Sequence, residues 1–106
     1  MNHYEYCEAV LEAFWKLVFG KTPDEMWCGG IVSCHGDKCY GYREEWEVAG
    51  IPFKRGVLLY MLTYTEKLGE TPKHASGQWV IASYQTYLEK ILAAEKEAGI
   101  NITDVL

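Results

Sequence analysis

The sequence predicts an α+β fold in which about three substantial helices pack on one face of a small antiparallel β-hairpin or sheet. Three observations predict it. Residues 2–20 and 76–99 each carry apolar side chains at helical spacing between a capping residue and a glycine. A third helical pattern opens at Pro52. Between Ile31 and Val48 the apolar period shortens to two.

The first helix is marked at both ends. Asn2 and Glu5 have capping-box spacing, and Gly20 supplies a stop. Between them Tyr6, Cys7, Val10, Leu11, Phe14, Leu17 and Val18 form one apolar stripe, while Glu5, Glu8 and Glu12 fall together on the opposite side. Thr22-Pro23-Asp24-Glu25 is a second helix start, halted within two turns by Gly29-Gly30. Next come two short runs, Ile31–Cys34 and Cys39–Tyr42, which flank a turn at Gly36-Asp37 and read as a hairpin with Cys34 opposite Cys39. Its larger apolar side holds Ile31, Ser33, His35, Tyr40, Tyr42, Trp46 and Val48 and is the expected buried face.

After Pro52, the residues Phe53, Val57, Tyr60, Met61, Tyr64 and Leu68 keep a helical period up to Gly69, with Lys54-Arg55 as an exposed basic pair in the first turn. Ser76 caps a long helix that carries Val80, Tyr84, Tyr87, Leu88, Ile91 and Glu95 on one face and stops at Gly99. The tail from Ile100 to Leu106 adds an edge strand or packs. With 106 residues and no repeats or linkers, one compact domain, 1–106, is expected. The opening Met-Asn-His-Tyr-Glu-Tyr lacks a basic segment followed by an apolar run, and no apolar stretch reaches membrane-spanning length, so the expected location is cytoplasmic, with reduced cysteines.

Charge is unevenly distributed. Residues 1–50 hold nine acids against four bases and so carry the whole net charge of −5; residues 51–106 are balanced. This argues against general nucleic-acid binding, which needs cations to displace phosphate counterions. It suits a protein partner with a basic surface. Tyrosine and tryptophan combine apolar area with a polar tip, and the chain has eight and four of them. Trp27, on a helix too short to bury it, is the best candidate for a contact residue.

Chemistry-bearing clusters are few. Cys28, Cys34 and Cys39 have zinc-compatible side chains, but their C-x5-C-x4-C spacing lacks the tight knuckle of zinc modules. Ordinary buried thiols account for them better, because three ligands without the knuckle spacing are an incomplete zinc set. Lys73, His74, Ser76 and Gly77 lead into a helix N-terminus, where free amides can hold an anion. No Walker loop, dinucleotide fingerprint, zincin helix or nucleophile elbow is present. The sequence therefore points away from an enzyme and towards a small acidic binding protein, inhibitor-like in the style of phage accessory proteins. It would occlude a partner through Glu5, Glu8, Glu12, Trp27, Glu44, Glu45 and Glu47. Two alternatives stand beside this reading: a zinc-stabilised interaction module using the three cysteines, and a small nucleotide or anion binder, with or without catalysis, using Lys73–Gly77. Apart from zinc, no cofactor is expected.

Overall fold

The computed structural model describes residues 1–20, 37–62 and 77–106. Helix α1 spans His3–Phe19. It begins as its capping chemistry requires: the Asn2 side chain accepts from Glu5 N at 2.9 Å, and Glu5 Oε1 accepts from Asn2 N at 3.2 Å. It ends where Gly20 takes a left-handed conformation and donates to Lys16 O. The buried face is broader than the expected stripe. His3, Tyr6, Cys7, Val10, Leu11, Phe14 and Trp15 are all buried, whereas Leu17 is 39% exposed.

Helices α1, α3 (Phe53–Leu62) and α4 (Gly77–Glu97) pack pairwise on one another and form the core. Helix α3 is buried continuously from Arg55 to Met61, which makes it the central element. Pro52 supplies the carbonyl that accepts the first helical bond, from Gly56 N at 3.0 Å. Helix α4, about 31 Å long by helical rise, turns Val80, Tyr84, Ile91, Ala94 and Glu95 inward. Its end is a Schellman motif: Gly99 donates to Lys96 O and Ile100 to Glu95 O. That motif needs a left-handed residue, which Gly99 provides at φ 77°.

The predicted hairpin is overturned, and with it the α+β class. Asp37–Tyr42 form a 3-10 helix that runs directly into α2 (Arg43–Val48). Among the described residues every element is helical, so this part of the fold is all-α. Cys39, Tyr42 and Trp46 recur at three and four residues, a helical spacing that places Cys39 and Trp46 in the core. Arg43, Glu44, Glu45 and Glu47 are good helix formers, and Arg43 pairs with Glu47 one turn on, at 3.4 Å. The face expected to be buried splits as a result: Trp46 is inside, but Tyr40 is 51% and Val48 86% exposed. Cys39 lies on no strand, so the register that was to set Cys34 against it does not exist. Cys34 itself, the Thr22–Glu25 helix start and the Gly69 stop lie outside the described residues.

Trp46 locks α2 onto the core. Its ring lies so close to Gly56 of α3 that a Cβ there would overlap it, and its Nε1 donates to Gly77 O of α4 at 3.2 Å. Tyr42 stacks on Trp46, with 5.7 Å between ring centroids, and occupies the space a side chain at Gly77 would need. The tail is a capped helical turn rather than an edge strand. In α5 (Ile102–Val105), Asn101 and Asp104 form a capping box and Val105 is buried. No helix among the described residues is long and apolar enough to cross a membrane.

Candidate functional site

Among the described residues, two places gather polar chemistry, one inside the helix packing and one at its edge. The interior group joins three helices. Arg55 of α3 holds Glu95 of α4 with two bonds, Nε to Oε2 at 2.7 Å and Nη2 to Oε1 at 2.8 Å. Tyr6 of α1 donates its hydroxyl to Glu95 Oε2 at 2.6 Å, and Arg55 Nη1 donates to the Tyr84 hydroxyl at 3.2 Å. Arg55 and Glu95 are only 5% and 4% exposed. A charge so deep requires a partner with matched geometry, and the bidentate fork provides one. The bond to Glu95 raises Arg55 above its ordinary value, against the opposing effect of burial. Burial first, then the bond to Glu95, pushes the Tyr6 phenol well above its usual range. Both carboxylate oxygens are engaged, so the group works as an internal clamp rather than as an acid or base open to substrate.

The edge group is an open cleft of about 320 Å³ where the start of α1 meets the 3-10 helix, α2, the start of α3 and the tail. Tyr40 stacks on Phe53 at 5.0 Å, and the buried His3 ring meets both edge-on. The Arg43 guanidinium sits over the Phe53 ring, 4.9 Å from its centroid, and its Nε contacts Glu47. Lys54 lines the same cleft and donates to the carbonyl of Asp104. Of these residues the sequence reading singled out Glu47 alone as a site. The signal for the others was weak: His3 and Cys7 stand one turn apart on the buried face of α1, and Phe53 begins α3 beside a cationic pair.

The predicted acidic residues are all on the surface. Glu5 is spent on the capping box, while Glu8 and Glu12 are exposed along α1. Glu12 borders an open groove of about 410 Å³ whose walls include Ala9, Ala13, Leu17 and Glu97. On α2, Glu44, Glu45 and Glu47 are exposed; Glu45 accepts from Gln78 Nε2 at 3.4 Å. Of these acidic residues, Glu47 of α2 lines the cleft at the head of α1, and none of Glu5, Glu8 and Glu12 does.

The other predicted residues are only partly described. Trp27, Cys28, Cys34, Lys73, His74 and Ser76 lie outside the described residues. Cys39 is buried, and so is Cys7 of α1. Burial pushes the Cys7 thiol well above its usual value, with Cys39 and Glu8 adding to the effect, so it is a poor nucleophile. No group of three His, Cys, Asp or Glu among the described residues is arranged to hold a metal ion. Gly77, expected at an anion site, makes room for Tyr42 and gives its carbonyl to Trp46.

Arg55 is the clearest correction at the level of single residues, being buried where an exposed first turn was expected. A signal for it was present, because Glu95 falls on the apolar stripe of α4 and a buried acid demands a buried cation. Comparison of the chain with protein-family models, with curated proteins and with solved structures returns no match.

Proposed function

We propose that this is a non-enzymatic binding protein that covers a basic protein surface with the outer faces of α1 and α2. One observation carries the reading: Glu12 and Glu97, with Lys16, border an open groove walled by Ala9, Ala13 and Leu17, and Glu8 is exposed one turn before Glu12. An apolar strip with a charged rim is the usual anatomy of a protein interface, where rim charge speeds encounter and buried apolar contacts hold the complex. Glu44, Glu45 and Glu47 extend the negative surface on α2, and Trp27 is the aromatic contact that the sequence adds. The deeply buried ionised pair, Arg55 and Glu95, is committed to the internal clamp, which supports a binding rather than a catalytic role.

The test compares immobilised native protein with a Glu8→Lys/Glu12→Lys variant. Proteins retained from cell extract at low and high salt are identified by mass spectrometry, and association kinetics are then measured on the recovered partner. The reversal slows association and flattens its salt dependence, with folding stability unchanged. Trp27→Ala instead speeds dissociation. An on-rate and salt slope indifferent to the double reversal defeats the reading. The zinc alternative at Cys28, Cys34 and Cys39 has its own check: stoichiometric metal in purified protein and a melting temperature lowered by chelator.

A further inference from the structure

The cleft at the head of α1 has features that a protein-docking face does not require. It gathers more cationic than anionic side chains on an otherwise acidic chain: Arg43 and Lys54 line it against Glu47, beside the buried His3 ring. It also presents a flat aromatic surface. Tyr40 lies nearly parallel to Phe53, at 27°, and is half exposed, so the ring has open area to offer a further planar group. Glu47 binds the Nε edge of Arg43, and Phe53 lies under the guanidinium, so the cation is held in place while half its side chain remains exposed. At about 320 Å³ the cleft is at the small end of the range for small-molecule sites.

From this arrangement we propose that the cleft binds a small planar carboxylate, its ring stacked on Tyr40 and its carboxylate held by Arg43 with Lys54 nearby. Arg43 sets the charge requirement, because a guanidinium recognises a carboxylate through paired, charge-assisted bonds that a neutral isostere cannot reproduce. Tyr40 sets the preference for a flat ring. The site shares Glu47 with the proposed partner surface but no residue with the α1 groove that carries that reading, so either can fail without the other.

The probes are naphthalene-2-carboxylate and its uncharged carboxamide, titrated into the native full chain and followed by backbone amide chemical shifts. The carboxylate binds saturably, shifts the amides of Tyr40, Arg43, Phe53 and Lys54, and binds about tenfold more tightly than the carboxamide, as expected for one charge-assisted contact. Arg43→Gln removes that preference, while Tyr40→Ala weakens both compounds alike. Both residues are half exposed, and circular dichroism confirms that each variant keeps its helix content. Four results overturn the proposal: no saturable binding at millimolar probe, shifts confined to other surfaces, equal affinity for the two compounds, or a preference that survives Arg43→Gln.

Discussion

Two arginine–glutamate pairs in this molecule have the same chemistry and opposite consequences. Arg55 and Glu95 meet through two short bonds at the centre of three helices, forty residues apart in sequence and almost fully removed from water. Arg43 and Glu47 meet through one 3.4 Å contact on a single helix, with more than half of each side chain in solvent. Water screens the surface pair, and one helical turn already holds its members near each other, so it adds little to stability. Removing one member of the interior pair strands a charge where nothing else can solvate it. Depth and geometry, rather than residue type, separate a structural clamp from a group free to meet a ligand.

Breaking the interior pair has the largest expected effect. Arg55→Ala leaves Glu95 buried and unmatched and lowers unfolding free energy by about 3–5 kcal/mol, measured by denaturant titration. Replacing the charged pair and the Tyr6 hydroxyl together with apolar groups, as Arg55→Met/Glu95→Leu/Tyr6→Phe, recovers at least half of that loss, because no polar partner of Glu95 is left behind. A triple variant no more stable than Arg55→Ala would mean that the cost comes from lost shape rather than stranded charge.

Tyr6→Phe, a single hydroxyl, costs about 1.5–3 kcal/mol, since it removes a hydrogen bond to a charged acceptor. It also changes the alkaline behaviour. The folded phenol is held above its ordinary value, so the unfolded chain releases this proton first as pH rises. The contribution is present in full below about pH 10 and declines above it. Stability of the variant falls less steeply over that alkaline range, as read from unfolding curves at successive pH values.

Next to Arg55, Gly56→Ala tests how tightly the same helix is packed. The added methyl meets the Trp46 ring and costs about 1–3 kcal/mol through overpacking. Substitution at the surface pair is the smallest change. Arg43→Ala moves stability by less than about 0.5 kcal/mol while abolishing the charge preference of the cleft. A loss for Arg43→Ala comparable to that for Arg55→Ala would erase the contrast between the two regions.

Both ends of α1 and the glycine stop of α4 were legible from residues close in sequence. The error at 37–48 arose because Tyr40, Tyr42, Trp46 and Val48 alternate in a strand-like way while Cys39, Tyr42 and Trp46 also keep a helical period. Short apolar runs support either period, and the structure chose the one that places Trp46 against Gly56 and Gly77. The acidic residues were correctly expected to be outside. The cleft was not foreseen, because its walls come from five separate segments and no single window of sequence contains them.

The sequence by itself determined the capping box at Asn2, the glycine stops at Gly20 and Gly99, and the inward stripes of α1 and α4. Each depends on hydrogen bonds or side-chain spacing that span a few residues, so local order is enough to specify them. Only the tertiary structure decided that Arg55 faces Glu95 and Tyr6, that Gly56 and Gly77 make room for aromatic rings, and that 37–48 coils as helix. Those outcomes join residues up to 89 positions apart, and their energy comes from excluding water between surfaces that meet only once the helices have packed.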